Sequence, residues 1–471
     1  MRVGKFLENL SSKVVLYLSA IIAIGIILVN GIGIFTFQDL IKFDSIYQVI
    51  AIILVLLVIF ISIKYLYKIK DEQKFIAALF LAGFIIRLLW VIIIKTEPVS
   101  DFKFMYDAAI DIVNKDYTSV LNNGYFNLWV YQLGFTGYLA ILLKIFGNSL
   151  FMIKLINCIV TSLIPVIIYL SAKNIASKKS AKIVSLGYCF YIGSIVTTSI
   201  LTNQHMATLF FYLAIYFLLS NVNRFIKWAV VGVCLGLGEF FRPEGAIVIL
   251  AILLYLVFKN ISDIKSTFKN LSEAIASIII VVLIMKGLSL IFINMGVTEY
   301  NLVNRDPLWK FSCGLNPETR GTYSVDDDAF ISSYGDNRKE ANMILIKERL
   351  SNPKELVKTM AYKGAVMWGA NDTSLQFAFT ENVPYTSLYN VVVKIEKIQY
   401  IIFIMMFAIS TIVMIKRREK FIESHLYLII FLGYFLAHLL IEIQTRYRYF
   451  AIPIFFIISA YGIKYMFPRK E

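Results

Sequence analysis

Long apolar runs alternate with short polar segments along almost the whole chain. Runs of about 15–23 residues suit membrane spans, since a helix needs about 20 residues to cross a hydrocarbon core of about 30 Å. Twelve such runs lie at residues 14–35, 47–66, 75–94, 150–172, 183–201, 206–220, 226–241, 245–258, 274–293, 398–415, 425–441 and 447–465. Because backbone amides inside a bilayer must be paired within their own segment, the pattern predicts an all-α polytopic membrane protein.

One further apolar stretch, 131–147, decides the topology. If it does not cross the membrane, the short segments rich in Lys and Arg all fall on one side, including 64–74, 173–182 and the tail 467–471. The positive-inside rule assigns that side to the cytoplasm. We therefore predict an interfacial or re-entrant helix at 131–147, twelve spans, and both chain ends in the cytoplasm.

Two large polar segments then remain on the outer side. The first outer loop covers residues 95–130, and a mostly helical extracytoplasmic domain covers 294–397, with two of its helices broken at Asn352-Pro353. The remaining parts are two N-terminal spans with a cytoplasmic loop, a membrane core and the C-terminal spans, which occupy residues 1–74, 75–293 and 398–471.

The first outer loop begins with an amphipathic pattern. Phe102, Met105, Ala108, Ala109 and Ile112 share one helical face, and charged residues occupy the other. Such a helix is expected to lie flat on the membrane with its apolar face down. Packing of the same face on the outer domain is the alternative.

Composition agrees with a membrane protein and limits its partners. Of 471 residues, 59% are hydrophobic, and the net charge of +15 is concentrated in the short loops. This charge is explained by topology, and no nucleic-acid partner is predicted. Only Cys313 of the four cysteines lies outside the predicted spans, so no disulfide framework is expected. The three histidines are scattered, and no metal site is predicted.

Unusual polar residues from four separate segments meet at the outer face in this topology. They are Glu97, Asp101, Asn203, Gln204, His205, Glu239, Arg242, Glu244, Glu442, Gln444, Arg446 and Arg448. Charges at membrane depth cost a few kcal/mol each, so they often mark a site or a pathway.

Several of these residues also have a simpler explanation. Arg242 could pair with Glu244 and close a turn, and Arg446 and Arg448 could be snorkelling anchors. His205 could be a structural histidine, and Asp101 could cap the amphipathic helix.

The set as a whole suits a lipid phosphate that carries a sugar. Paired guanidinium groups bind phosphate through parallel hydrogen bonds and stay charged. A carboxylate can act as a general base or bind a hydroxyl. Aromatic side chains such as Tyr106, Trp129 and Trp368 suit the faces of sugar rings.

Several stretches resemble, in the same order, the GT-C glycosyltransferases. They are SDFKFMYDAA after an apolar span, YQLGFTGYLAILLKIFGNSLFMIKLIN, the turn LTNQH, LGLGEFFRPEGAIVI and QTRYRYFAIPIF. The resemblance is to the family 39 group, with protein O-mannosyltransferases and lipid A aminoarabinose transferases, and covers residues 75–258 and 398–465. It implies a GT-C-like helix bundle whose first outer loop contains interfacial helices at 102–116 and 131–147.

The resemblance also implies roles for individual residues. It makes Asp101 the catalytic base, and it makes Arg242 and Arg446, with Arg448, the groups that bind the donor phosphate. Substrate-binding candidates are Glu97, Tyr106, Gln132, Gln204, His205 and Glu244. Two departures from the family leave acceptor type and metal dependence open. This chain has Asn203-Gln204-His205 where many relatives have an acid, and residues 129–132 lack the His-Pro or Lys-Pro pair of many relatives.

The expected function is an inverting transfer of a sugar from a polyprenyl-phosphate donor to a cell-envelope glycan, lipid or protein. It would occur at the outer face of a bacterial plasma membrane. No cofactor is predicted beyond the polyprenyl-phosphate-linked sugar itself, and dependence on a divalent metal is left open. A transporter or flippase for lipid-linked solutes is one alternative, and a non-catalytic subunit of polysaccharide assembly is another. The sequence leaves the sugar, the acceptor, the product anomer and the oligomeric state open.

Overall fold

The computed structural model describes residues 2–35, 45–380 and 386–466, and within these ranges the chain is built from helices. They are α1 (Arg2–Phe35), α2 (Ile46–Tyr67), α3 (Glu72–Ile93), α4 (Ser100–Val113), α5 (Thr118–Leu121), α6 (Gly124–Leu128), α7 (Gln132–Phe146), α8 (Leu150–Ile175), α9 (Lys178–Cys189), α10 (Ile192–Thr197), α11 (Gln204–Leu219), α12 (Arg224–Phe241), α13 (Gly245–Asn260), α14 (Ile264–Asn294), α15 (Trp309–Gly314), α16 (Val325–Ser333), α17 (Arg338–Leu350), α18 (Pro353–Gly369), α19 (Thr373–Ala378), α20 (Thr386–Lys416), α21 (Ser424–Leu440) and α22 (Arg448–Met466). The predicted cytoplasmic tail 467–471 and residues 381–385 of the predicted outer domain lie outside the described residues.

The predicted all-α polytopic membrane protein is confirmed. Each predicted span falls on a helix, except 183–201, which falls on the pair α9 and α10. Among the described residues, seven helical segments are long and apolar enough to cross a membrane, and α7, α11, α13 and α21 are shorter apolar helices. The total of twelve spans stays a prediction.

The span predicted at 183–201 is interrupted between α9 and α10. At the break, the side chain of Gln399 accepts a hydrogen bond from the Ile192 amide (2.8 Å) and donates one to the Phe190 carbonyl (2.9 Å). The buried Arg87 donates to the carbonyl of Cys189 (3.3 Å) and to the hydroxyl of Ser194 (2.8 Å). Polar side chains from neighbouring helices therefore satisfy the backbone groups that the interruption frees.

Helices α3 and α8 pack side by side in opposite directions. Near the start of α3, Glu72 forms an ion pair with Lys173 (2.6 Å), and just after its end the Thr96 carbonyl accepts a hydrogen bond from Lys154. The end of α3 and the start of α8 therefore lie at the same end of the bundle. The chain between them, which contains α7, returns to the end that it left, as the predicted interfacial helix requires.

The basic short segments meet at the other end of the bundle. Lys259, in the last turn of α13, forms an ion pair with Glu423 (2.8 Å), and Ser12 of α1 contacts the ring of His425 (2.9 Å). We call this the basic end, and the end with the first outer loop and residues 295–380 the cavity end. That the basic end faces the cytoplasm stays a prediction from the positive-inside rule.

The amphipathic helix α4 uses its apolar face differently from the prediction. The face is buried, but it packs on α7 and on Phe377, whose ring centroid is 5.4 Å from that of Phe102. The expectation that it rests on lipid is therefore wrong, because α7 covers it. Helix α7 is in turn pressed onto the end of α12, where a Cβ on Gly134 would lie 2.1 Å from the Phe240 carbonyl oxygen.

Helix α20 begins at Thr386, inside the segment predicted as outer domain up to residue 397. The prediction began the span late because polar residues interrupt the apolar pattern there. Two of these residues are buried and paired, since Glu396 accepts from the Tyr191 hydroxyl and Lys397 donates to the Gly369 carbonyl.

A buried lysine joins the outer domain to the end of α21. The buried Lys363 of α18 donates hydrogen bonds to the carbonyls of Gly314 (2.6 Å), Leu439 (2.8 Å) and Ile441 (2.8 Å). Gly314 lies so close to this turn that a Cβ would be 2.3 Å from the Ile441 carbonyl carbon. The predicted break between the outer helices is confirmed, since α17 ends at Leu350 and α18 begins at Pro353.

We predict that Gln399→Leu destabilises the membrane bundle. It would leave the Ile192 amide and the Phe190 carbonyl unpaired, and each buried unpaired group costs about 1–3 kcal/mol. Thermal unfolding in detergent should show a lower midpoint than in the wild type. The matched control is Ile402→Leu on the same helix, where the side chain is exposed. Equal midpoints for the two variants would contradict the role of Gln399 at the break.

Candidate functional site

A cavity of about 530 Å³ opens at the cavity end of the bundle. Four parts of the chain form its walls: the first outer loop, the turn between α12 and α13, the turn between α21 and α22, and the outer domain. Its main polar lining residues are Asp101, Gln132, Arg242, Glu244, Lys310, Asp328, His438, Glu442, Gln444 and Arg446. Five of the predicted site residues, Asp101, Gln132, Arg242, Glu244 and Arg446, therefore share one cavity.

Asp101 lies in the first turn of α4 and points toward an arginine. The helix begins at Ser100, and its side chains provide no hydrogen-bonded cap, so the capping explanation for Asp101 does not hold. A carboxylate oxygen of Asp101 is 3.5 Å from a terminal guanidinium nitrogen of Arg446. The Asp101 side chain is 38% exposed and remains accessible from the cavity.

Arg446 is held from several sides. Its Nε donates to the side-chain oxygen of Gln444 (2.5 Å). Its backbone carbonyl accepts a hydrogen bond from the side-chain amide of Gln204 (3.0 Å). The guanidinium carbon lies 5.1 Å from the ring centroid of Phe102 and 5.4 Å from that of Phe377. These contacts fix the direction in which the guanidinium points.

The buried carboxylate of Glu442 holds the side chain of Gln444 in place. Gln444 donates its amide to one oxygen of Glu442 (2.8 Å), and the hydroxyl of Tyr447 donates to the other (3.0 Å). Glu442, Gln444, Arg446 and Asp101 therefore form a continuous polar chain along one wall. Glutamine suits the middle position because its amide can donate on one side and accept on the other.

Arg242 lies in the turn between α12 and α13. Its Nε donates to Glu244 (2.6 Å) and one terminal nitrogen donates to Asn203 (3.2 Å), so the pairing of Arg242 with Glu244 does occur. Asn203 also donates to the side-chain oxygen of Gln132 (3.1 Å). Asn203 thus links this turn to the start of α7.

Trp309 and Tyr323 of the outer domain form a row of aromatic rings with Trp129 of the first outer loop at another wall of the cavity. Trp309 lies between Trp129 and Tyr323, with ring centroids 5.4 Å and 6.1 Å away. A backbone hydrogen bond from the Arg305 amide to the Leu128 carbonyl (2.9 Å) joins this wall to the first outer loop. Lys310 and Asp328 are the charged residues of this wall.

The two tyrosines at the edges of this wall remain protonated. Burial raises the pKa of the Tyr125 phenol well above its usual value, and the Asp101 carboxylate raises it further. Burial also raises the pKa of Tyr323, with a further contribution from Asp328. Both phenols therefore keep a hydroxyl that can donate a hydrogen bond.

Arg448 is not brought to the cavity. Its side chain is buried, with a terminal nitrogen 3.9 Å from Asp372 and the guanidinium carbon 4.7 Å from the Tyr400 ring centroid. Arg446 belongs to a 3₁₀ turn, whereas Arg448 is the first residue of α22. The backbone changes from the 3₁₀ turn to the α-helix between them, and the two side chains go to different places, Arg446 to the cavity and Arg448 into the bundle.

Four other substrate-binding candidates also lie outside the cavity lining. The ring of His205 is fully buried between the Tyr449 hydroxyl (2.8 Å) and the Thr197 carbonyl (3.0 Å), as a structural histidine would be. The Gln204 side chain donates to the backbone carbonyl of Arg446 and accepts from the Thr202 hydroxyl (3.4 Å). Tyr106 donates to Asn148 (2.7 Å), and Glu97 is exposed beside Thr380. Of the three aromatic candidates, only Trp129 lines the cavity, and Trp368 is buried in the bundle.

The sequence did not reveal the contribution of the outer domain. Trp309, Lys310, Tyr323 and Asp328 carry no local signal, because their place in the cavity depends on how the domain docks. Glu442 and Gln444 were visible as polar residues between two spans, but their contacts with Arg446 were not. No group of three or more His, Cys, Asp or Glu side chains in the described part of the chain is arranged to hold a metal ion.

Comparison with known proteins yields one match. The family model of the dolichyl-phosphate-mannose-protein mannosyltransferases matches residues 135–285, about a third of the chain. No curated protein and no solved structure matched. The matched region includes Gln204, His205, Arg242 and Glu244 but neither Asp101 nor Arg446. The resemblance to this family is confirmed there: over its central membrane helices, the chain is similar to the dolichyl-phosphate-mannose-protein mannosyltransferases, which are membrane glycosyltransferases of the GT-C type.

Proposed function

We propose that the protein transfers a sugar from a polyprenyl-phosphate donor to a hydroxyl of a cell-envelope acceptor, at the outer face of the plasma membrane. The observation that carries the proposal is that Asp101, Arg242 and Arg446 line one cavity. A carboxylate with access to this cavity and two guanidinium groups supply the base and the phosphate-binding groups that such a reaction needs.

The donor phosphate would bind to the guanidinium groups of Arg242 and Arg446. Both side chains are mostly buried, so their charges are less screened by water than charges on an open surface. As the bond between the anomeric carbon and the phosphate oxygen breaks, negative charge grows on the departing polyprenyl phosphate. Arginine contacts that strengthen with this charge lower the barrier as well as bind the donor.

Asp101 would accept the proton of the acceptor hydroxyl. The acceptor oxygen then forms the new bond to the anomeric carbon as the phosphate leaves, through a transition state that resembles an oxocarbenium ion. One displacement inverts the configuration at that carbon. Asp101 lies next to Arg446, so the proposed base and one of the two phosphate-binding groups line the same part of the cavity.

We expect Asp101→Asn to lower the rate of transfer by at least about 100-fold, since a positioned general base contributes that much or more. Asparagine has nearly the same shape, so binding of the donor should persist. The measurement is release of free polyprenyl phosphate from short-chain polyprenyl-phosphate sugars by the purified protein. Asp111→Asn on the same helix serves as control and should retain the wild-type rate. An Asp101→Asn protein with wild-type turnover would remove Asp101 from the mechanism.

Arg242→Gln and Arg446→Gln should each weaken donor binding. A hydrogen bond to a charged group is worth about 1.5–3 kcal/mol, which corresponds to a rise in Kd of about tenfold to 100-fold. Titration with a non-transferable polyprenyl phosphate would measure the effect. Arg417→Gln makes the same change at the basic end and should bind the ligand as the wild type does. Equal affinities for all three variants would argue against an arginine-bound phosphate.

Gln444→Leu should reduce donor affinity through Arg446. The change removes the acceptor for the Arg446 Nε and the donor to Glu442, so the guanidinium keeps its charge but loses its fixed direction. In a double-mutant cycle, adding Gln444→Leu to Arg446→Gln should cost almost nothing further, because the two residues act as one unit. Losses that simply add would mean that Gln444 acts independently of Arg446.

A further inference from the structure

We propose that the outer-domain wall of the cavity is the acceptor subsite and that its ligand is a sugar ring of a glycan. This inference rests on the proposed function and names the chemical class of the acceptor. The wall consists of Trp129, Trp309 and Tyr323, with Lys310 and Asp328 as its charged residues.

The aromatic side chains form a stepped surface of the kind that suits a sugar. Trp309 is buried and makes ring contacts with Trp129 and Tyr323, at interplanar angles of 66° and 42°. Tyr323 at the outer edge is 49% exposed, although a large ring is costly to leave in water. A sugar ring has an apolar C–H face that can cover such a ring and a polar rim that stays hydrated.

Polar groups lie where the rim of that sugar would be. The Tyr323 hydroxyl donates to Asp328 (3.2 Å), which fixes the ring and leaves the second carboxylate oxygen for a ligand hydroxyl. Asp328 is 37% exposed, and its second contact, with Arg338, is long at 4.0 Å. The ammonium of Lys310 lies 5.9 Å from the Tyr131 ring centroid on the same side of the cavity. Carboxylate and ammonium groups accept from and donate to neutral hydroxyls respectively.

Two donors in the wall have no hydrogen-bond partner among the described residues. They are the indole N–H of Trp309 and the hydroxyl of Tyr125, both buried at the lining of the cavity. Buried donors in proteins are almost always paired, so an unpaired donor at a binding surface points to a ligand acceptor. Both atoms are shielded from solvent here, so a sugar hydroxyl would accept from them only after the rings turn toward it.

The wall does not suit an extended peptide. An extended peptide that adds to a protein as a strand pairs its backbone with free backbone groups of the protein. Here the nearby carbonyls are already used: Leu128 accepts from the Arg305 amide, Lys310 accepts from the Glu442 amide (2.7 Å), and Gly321 accepts from the Ile443 amide (2.9 Å). The subsite therefore offers side chains and rings, which favours a sugar over a polypeptide.

The test measures binding of methyl disaccharides to the full-length protein in detergent, in the absence of any donor. Saturation-transfer NMR should show contact between ring C–H protons of at least one disaccharide and the protein. Tyr323→Ala should raise the Kd by about tenfold, because it removes the exposed ring. Tyr323→Phe keeps the ring and should stay within about threefold of the wild type. Trp309→Phe keeps a ring but removes the unpaired N–H, so it should bind more weakly than the wild type.

Three outcomes would overturn the subsite: no disaccharide in the panel binds, Tyr323→Ala binds as the wild type does, or a Ser/Thr peptide binds at this wall instead. Because no donor is present, failure of the proposed transfer reaction is a separate result. Wild-type turnover by Asp101→Asn would end that reaction scheme and leave disaccharide binding untouched. Disaccharides that are free and disaccharides linked to a lipid carrier share the same ring chemistry, and comparing the two forms shows which source the subsite prefers.

Discussion

The contact of the Lys363 ammonium with three backbone carbonyls holds the site together. A buried cation is costly unless its protons are all accepted, and the carbonyls of Gly314, Leu439 and Ile441 accept them. Two of these carbonyls belong to the end of α21 and one to the outer domain, so the same lysine fixes both. The turn that follows α21 carries Glu442, Gln444 and Arg446, and its position depends on this contact. The backbone amides of Glu442 and Ile443 extend the junction by donating to Lys310 and Gly321.

Charge pairing explains why the cavity forms at this end of the bundle. Guanidinium groups at membrane depth require partners, and the turns supply them: Glu244 and Asn203 for Arg242, and Gln444 and Asp101 for Arg446. Asn203 and Asp101 come from other parts of the chain than the arginines they contact, so these polar contacts also join the turns to the rest of the cavity. Elsewhere in the bundle, polar groups such as Arg87 and Gln399 serve the interrupted helix and are closed to the cavity. The bundle thus separates charges that maintain the fold from charges that face a ligand.

Much of this arrangement could be predicted because its signals are local. Hydropathy located the helices, and the order of basic loops placed Asp101, Arg242 and Arg446 at one end. The directions of individual side chains were harder to predict. The sequence could not show that the Arg448 side chain turns into the bundle, because that depends on where α22 begins. The apolar face of α4 was visible, but its partner α7 was not, since a lipid surface and a helix satisfy the same pattern. The outer-domain residues Trp309, Tyr323 and Asp328 were beyond reach, because only docking of a distant segment brings them to the cavity.

The ion pair between Arg446 and Asp101 has a kinetic consequence within the proposed reaction. A phosphate that binds the guanidinium competes with the carboxylate 3.5 Å away. When the phosphate takes the guanidinium, Asp101 loses its partner and offers both carboxylate oxygens, rather than one, to an incoming hydroxyl. Arrival of the lipid-linked donor would thereby release the group that the acceptor needs. Such coupling favours binding of the donor before the acceptor.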